Sequence, residues 1–215
     1  MFRDRTDAAL QLARRLQKYK GKSPLVLGVP RGGVVVASIL AHELEGDLDI
    51  ILTRKLGCPG NPELAMGSID ENGNISLNVS VVNALQISKE MIEAERGNQL
   101  AVIRRRAESY RRIYPKIPVE DRMIIITDDG IATGATMRAA IQAVRAANPK
   151  SVTVGLPVGP PDSVTELEDM VDEMVCLYMP FDFMAVGQFY GAFDQVEDKD
   201  VEDILRRFAK SRISL

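Results

Sequence analysis

The chain has 215 residues, of which 46% are hydrophobic and 27% are charged, a composition typical of a folded domain and unlike that of disordered or fibrous proteins. Its 27 basic and 30 acidic residues leave a net charge of −3, which does not favour a polyanion as the partner of the whole chain. Any phosphate site must therefore be local.

Targeting and metal signals are scarce. No apolar run reaches the roughly 18 residues that a membrane span needs, and the charged, amphipathic N-terminus is unlike a signal peptide, so we expect a cytoplasmic protein that does not bind a membrane. With Cys58, Cys176 and a single histidine, His42, neither a zinc site nor histidine-based catalysis is favoured. His42 is expected on a helix surface, and Cys58 is expected to be an incidental loop thiol.

Hydrophobic periodicity predicts an alternation of helices and strands. A first amphipathic helix is expected over 6–19, a second after the sequence PRGG at 30–33, a long third helix that Ser88 caps and Pro115 ends, and two more over 136–147 and 162–171. Apolar runs predict buried strands at 25–29, 49–53, 123–127, 151–158 and 173–179, and a weaker strand at 74–78. Continuous apolar strands between helices predict a doubly wound α/β fold with a mainly parallel central sheet of about five strands.

We find no repeat and no linker, so residues 1–215 are expected to form a single domain. The segment 54–73 is rich in Gly, Pro and Asn and is expected to be a long loop, which in a compact domain is often functional or mobile. The arginines at 104–106 and 111–112 are expected on a solvated helix face, with a partner or nucleic-acid surface as the alternative.

The most informative loop follows the strand at 123–127. In open α/β sheets, ligands bind beyond the carboxyl ends of the strands. Here the loop contains Gly130 and Gly134, which allow backbone amides to converge on an anion at the start of the next helix. Thr133 and Thr136 add hydroxyl donors. Asp128 and Asp129 would repel a phosphate, so they require hydroxyls or a metal. A ribose 5-phosphate has this layout, whereas the GxxxxGK[ST] motif of P-loop NTPases does not occur.

The stretch IIITDDGIATGAT (124–136) resembles the phosphoribosyl pyrophosphate (PRPP) signature of the type I phosphoribosyltransferases. By this resemblance Asp128 and Asp129 hold the ribose hydroxyls, and the loop around Gly130 cradles the 5-phosphate. The loop positions that match the signature are Ala132, Thr133, Gly134, Ala135 and Thr136.

Other segments extend the resemblance. PRGG lies where the family binds pyrophosphate, which implies contacts from Arg31, Gly32 and Gly33, and Arg54 and Lys55 are similar to basic residues that meet the same leaving group. A flap is implied over about 57–80, with Glu63 as a residue that faces the site. The sequences GVPRGG, TRKLGCPGNPELAMG and VGQFYGAF are similar to an uncharacterised branch of the family.

The acceptor is the least determined part. The family places a variable hood over the incoming base, and the corresponding segment here is 178–196, followed by a C-terminal helix. Its candidate acceptor-binding residues are Phe181, Asp182, Phe183, Phe189 and Tyr190. The alternative is that these rings simply pack against the terminal helix.

The resemblance implies a Mg²⁺-dependent transfer of the 5-phosphoribosyl group from PRPP to an unidentified acceptor, expected to be a nitrogenous base. Arg54, Lys55, Asp128 and Asp129 are the expected catalytic residues. Magnesium would be held mainly through PRPP oxygens, with the two aspartates as candidate ligands. A homodimer is also implied, and nucleic acid is not expected as a partner. The alternative function is a sensor that binds PRPP without turnover and acts on nucleic acid.

Overall fold

The computed structural model describes residues 1–213, apart from the side chains of residues 62, 63 and 211–213. The prediction that Glu63 faces the site therefore lies outside the described residues. The strands are β1 (Leu25–Gly28), β2 (Asp47–Ile50), β3 (Thr53–Cys58), β4 (Asn61–Asp70), β5 (Ile75–Leu77), β6 (Met123–Thr127), β7 (Ser151–Val158) and β8 (Glu173–Tyr178). The helices are α1 (Arg5–Arg15), α2 (Gly32–Glu43), α3 (Val79–Ala84), α4 (Lys89–Ile113), α5 (Ala135–Arg145), α6 (Pro161–Glu168) and α7 (Asp198–Ile213).

The central sheet has the order β2-β1-β6-β7-β8 with every neighbouring pair parallel, which confirms the predicted α/β fold. Its inner strands are buried along nearly their whole length, as expected when helices cover both faces. The strand order reverses between β1 and β6. Right-handed crossovers therefore run in opposite directions from these two strands, so that α2 and α5 lie on opposite faces.

The expectation of a long loop over 54–73 is wrong. Residues 53–70 form an antiparallel hairpin of β3 and β4 that turns at Pro59–Gly60, and β5 completes a second, three-stranded sheet. This sheet packs against α4 and α5. Cys58, predicted to be an incidental loop thiol, instead lies at the end of β3 and is buried. The loop was predicted because the segment is rich in glycine and proline. Its apolar residues Leu56, Cys58 and Met66 nevertheless contribute to the core.

Helix α4 follows its predicted signals. Ser88 Oγ accepts a hydrogen bond from the Met91 amide at 3.3 Å, and the helix ends before Pro115. Its face with Ile103 and Tyr110 is buried. The short helix α3 has too few residues for a clear hydrophobic period and was not predicted.

The prediction that all the clustered arginines are solvated is wrong for Arg111. Its side chain is only 17% exposed and forms ion pairs with Asp49 at 2.5 Å and Glu71 at 2.9 Å. The strand predicted at 49–53 is also corrected: β2 spans Asp47–Ile50, and Asp49 within it is buried and paired with Arg111. Among residues 1–213, no helix combines the length and the apolar character that a bilayer crossing requires.

Candidate active site

The site lies where the sheet order reverses, at the carboxyl ends of β1 and β6. Gly28 and Thr127 are register partners, and the Val29 amide extends the pairing by donating to the Thr127 carbonyl at 3.0 Å. The loop with PRGG and the loop with Asp128 and Asp129 therefore leave the sheet side by side. Adjacent parallel strands with diverging connections form the crevice in which open α/β sheets bind ligands.

The two loops are in close contact. A Cβ atom on Gly32 would lie 1.9 Å from Asp129 Oδ2, and one on Gly33 would lie 2.8 Å from the Cα and Oδ1 of Asp128. Only glycine lets the backbone pass this close to the two carboxylates. The structure thus brings Gly32, Gly33, Asp128 and Asp129 together, as their expected shared role requires.

The two carboxylates differ in their surroundings. Asp128 Oδ1 accepts a hydrogen bond from the Asp129 amide at 2.8 Å. Burial raises the pKa of Asp128 well above its ordinary value, and the neighbouring charge of Asp129 raises this pKa further. Asp129 instead forms an ion pair with Arg5. The site therefore contains one carboxyl whose pKa burial raises and one that is paired with a cation.

Arg5 is a site residue that the sequence analysis missed. Its Nε donates to Asp129 Oδ2 at 2.7 Å, and its Nη1 donates to the Asp194 carbonyl at 2.8 Å. The guanidinium carbon lies 3.9 Å from the centroid of the Phe193 ring. A signal was present, because a cation in the first turn of a helix is opposed by the helix dipole and needs a compensating partner.

The loop after β6 forms a shallow cavity of about 180 Å³ that opens between Asp128 and Met137. Gly134 has φ +68° and is the N-cap of α5, a left-handed conformation that other residues rarely adopt. The first amide of the helical ladder is that of Arg138, which donates to the Gly134 carbonyl. The preceding amides and the exposed hydroxyls of Thr133 and Thr136 can therefore bind an anion.

A second cleft, of about 470 Å³, is lined by Asp129 together with Arg5, Arg31, Gly32 and Phe193. The Arg31 side chain is 30% exposed and lies 3.4 Å from a carboxylate oxygen of the exposed Glu197. Such an exposed pair is weak. Arg31 is therefore free to exchange this partner for a ligand anion.

Arg54 and Lys55 lie on β3, at the base of the hairpin. Arg54 Nε donates to Gln99 Oε1 on α4 at 2.5 Å. The chain reaches β3 directly from Ile51, whose amide donates to the Gly28 carbonyl beside the PRGG loop. Neither basic residue borders the 470 Å³ cleft among the residues the structure describes, so their role at the leaving group stays a prediction.

The predicted hood residues fall into two groups. Phe189 and Tyr190 are buried, and their rings contact other rings: Phe183 stacks on Phe189 at 5.4 Å, and Phe193 stacks on Tyr190 at 4.9 Å. Phe181 is 96% exposed, and the neighbouring Asp182 is also exposed. The first group builds a packed wall beside the site, and the second is open to a ligand or a partner.

Tyr190 links this wall to the carboxylates. Its hydroxyl donates to the Asp129 carbonyl at 2.6 Å. Burial raises the pKa of the Tyr190 phenol far above its ordinary value, and the nearby charge of Asp129 adds to the effect. The hydroxyl therefore stays protonated and keeps its donor role.

Residues 4–188 match the model of the phosphoribosyl transferase domain family. Two proteins from strains of Mycobacterium tuberculosis, each provisionally named phosphoribosyl transferase, are 45% identical to this chain over 207 residues, which is 96% of the chain and 47% of each relative. The crystal structure of TT1426 from Thermus thermophilus has a TM-score of 0.91 and 43% identity, covering 96% of this chain and 98% of that one.

The chain belongs to the phosphoribosyl transferase domain family. This confirms the resemblance drawn from residues 124–136 and extends it over most of the sequence. The chain spans about half the length of the curated relatives it matches, so the activity of the whole protein is treated below as a proposal.

Proposed function

We propose that the protein transfers the 5-phosphoribosyl group from PRPP to a nitrogenous acceptor and releases pyrophosphate. The observation that carries the proposal is the contact between Gly32 and Asp129, which joins a basic loop to a carboxylate pair at the sheet's switch point. The 180 Å³ cavity beside them suits the 5-phosphate. Ribose hydroxyls would then meet Asp128 and Asp129, and the diphosphate would lie toward Arg31.

Each part of the site has a distinct task in this reaction. The amides before Arg138 hold the 5-phosphate and fix the sugar. The carboxylate of Asp129 accepts hydrogen bonds from hydroxyls and stabilises the positive charge that develops on the ribosyl ring. Arg31 stabilises the negative charge that grows on the departing diphosphate, with Arg54 and Lys55 proposed to join it when the hairpin moves.

Magnesium is part of the proposal. Among the described residues, no three His, Cys, Asp or Glu side chains group as metal ligands, but Mg²⁺ commonly uses one or two carboxylates and takes its other ligands from phosphates and water. Asp128 and Asp129 would hold it. When bound, the ion would neutralise charge on the diphosphate.

We propose a nitrogenous acceptor and a homodimer from the family resemblance alone. The hood offers aromatic side chains and Asp182 to a heterocyclic base, with Phe181 the most exposed of these rings. A homodimer is testable by light scattering, in which a mass of twice 23.7 kDa is expected.

The experiment is a measurement of pyrophosphate release from PRPP with Mg²⁺, against a panel of purines, pyrimidines, nicotinate-like acids and amines. Release that depends on one acceptor and disappears in Asp129→Asn would support the transferase. Micromolar PRPP binding with no release for any acceptor would contradict turnover and favour the sensor. An absence of PRPP binding would refute both functions.

A further inference from the structure

Arg5 lies at the junction of the two loops that form the site. Its Nε contacts Asp129 at 2.7 Å, and a Cβ atom on Gly32 would lie 3.2 Å from the same nitrogen. The guanidinium therefore contacts the carboxylate proposed for the ribose and lies next to Gly32, in the loop proposed for the diphosphate. This is the position at which the bond between sugar and leaving group would break.

The side chain is held in place before any ligand arrives. It is only 12% exposed, it is covered by the Phe193 ring at 3.9 Å, and it donates to the Asp194 carbonyl. A free arginine side chain has many rotamers, and ordering it costs conformational entropy. Most of that cost is already met by folding, so a ligand that binds Arg5 would not have to order it.

The hydrogen bonds of Arg5 leave capacity for a ligand. A guanidinium has five N–H donors, and the bonds to Asp129 and Asp194 use two of them. Arg5 also borders the 470 Å³ cleft together with Arg31 and Gly32. Two arginines at one glycine-lined cleft suit an anion with several oxygens better than a single carboxylate.

The placement of Arg5 also works against stability. It is the first residue of α1, where the helix dipole disfavours a cation. Residues that oppose local stability are expected at functional sites. Asp129 compensates the charge in the free protein, and an incoming anion would add to that compensation.

We propose that Arg5 binds the diphosphate of PRPP in the cleft that it shares with Arg31, while Asp129 serves the ribose hydroxyls. This inference rests on the proposed function. When the anomeric C–O bond breaks, its electron pair passes to a diphosphate oxygen. The lone pair of the acceptor nitrogen forms the new C–N bond, and the proton on that nitrogen passes to solvent. Arg5 stabilises the charge that the diphosphate gains.

The test is isothermal titration calorimetry with Mg²⁺ and three ligands: pyrophosphate, ribose 5-phosphate and PRPP. In Arg5→Gln, the affinities for pyrophosphate and PRPP should fall by about 10- to 100-fold, as expected for lost hydrogen bonds to a charged group, while the affinity for ribose 5-phosphate should change by less than about 3-fold. Asp129→Asn should show the opposite pattern: the affinity for ribose 5-phosphate should fall, and the affinity for pyrophosphate should change little. Arg14→Gln, at an exposed position of the same helix, is the matched control and should bind all three as the wild type does.

The outcomes are distinguishable. One contrary result is that Arg5→Gln weakens the binding of ribose 5-phosphate as much as that of PRPP and leaves the binding of pyrophosphate unchanged. In that case Arg5 only positions Asp129, and the inference is wrong. If Arg5→Gln does not fold, Arg5→Lys replaces it. Lysine lacks the planar set of N–H donors of a guanidinium, so the affinity for pyrophosphate should then fall about 3- to 10-fold. Unchanged pyrophosphate binding would overturn the inference. A wild type that binds none of the three ligands would instead refute the proposed function.

Discussion

At Gly32 a single added carbon atom decides whether the proposed site can form. A Cβ there would meet Asp129 Oδ2 at 1.9 Å, against a side chain that Arg5 holds in place. We predict that Gly32→Ala lowers PRPP affinity at least 10-fold, measured by calorimetry, because either the loop or the carboxylate must move away.

The matched control is Gly97→Ala. Gly97 lies within α4, and a Cβ there meets nothing within 4 Å. This substitution should raise the free energy of unfolding by about 0.5–1 kcal/mol through helix propensity and leave PRPP affinity unchanged. Wild-type affinity in Gly32→Ala would mean that the close approach has no part in binding.

Asp128 should make the stability of the free protein depend on pH. Burial, followed by the charge of Asp129, raises its pKa in the folded state. Between the unfolded and the folded pKa, the native state retains a proton that the unfolded state has lost, so the stability contribution of this group falls as pH rises through that window.

We therefore predict that Asp128→Asn stabilises the free protein by about 1 kcal/mol at pH 8, a gain of the size found when a functional strain is removed. The difference from the wild type should vanish near pH 3.5, and urea unfolding at both pH values measures it. Asp129→Asn is the comparison. It should not stabilise the protein, since it weakens the ion pair with Arg5. Equal effects of the two substitutions would contradict the assignment of the pH dependence to Asp128.

At the scale of elements, Arg111 joins α4 to both sheets. Besides its ion pairs with Asp49 on β2 and with Glu71 beyond β4, it donates to the Ile50 carbonyl at 3.2 Å. Asp49 also accepts from the Ile117 amide at 2.9 Å. Burial raises the pKa of Asp49, although Arg111 opposes this effect. Removing the arginine would leave two largely buried carboxylates without their main partner.

We predict that Arg111→Met lowers the free energy of unfolding by about 3–5 kcal/mol, the usual cost of breaking a buried pair from one side. Arg112→Met, at the exposed neighbouring position, should change it by less than about 0.5 kcal/mol. Urea denaturation measures both values. Similar effects of the two substitutions would mean that Arg111 contributes no more than a surface charge.

At the scale of the whole molecule, the first residues of the chain hold the hood beside the site. The Phe2 amide donates to the Phe189 carbonyl at 2.8 Å, and the Gly191 and Ala192 amides donate to the carbonyls of Phe2 and Arg3. The Phe2 ring is 7% exposed and lies 5.4 Å from the Tyr190 ring. The same segment carries Arg5 to Asp129. The order of the site therefore depends on contacts between residues nearly 190 positions apart.

We predict that Phe2→Ala destabilises the protein by about 3 kcal/mol, the low end of the cost of truncating a buried phenylalanine. It should also accelerate hydrogen exchange in residues 186–194 before the rest of the chain is affected. Phe181→Ala, which removes a ring that is 96% exposed, should do neither. Uniform acceleration over the whole chain would indicate that Phe2 supports the general fold and not the hood.

The local sequence determined the architecture and the two loops of the site. Strands β6 and β7 were predicted with the bounds that the structure gives, because short continuous apolar runs between helical patterns are typical of the buried strands of a covered sheet. Asp128, Gly130 and Gly134 were identifiable for a similar reason: their chemistry is contained in nine consecutive residues. Parallel strands then bring such a loop to the same edge as PRGG whatever the details of packing.

The tertiary structure alone decided which distant side chains meet. Arg5, Asp129 and Phe193 are brought together only by the fold, and so are Arg111, Asp49 and Glu71, and no local period relates their positions. The hairpin of β3 and β4 was concealed because its glycines and prolines are acceptable in a strand once α4 and α5 cover it. Short-range propensity acts over a few residues, whereas ion pairs and burial depend on the whole folded chain. For that reason the sequence predicted the loops of the site and Arg31, but not Arg5.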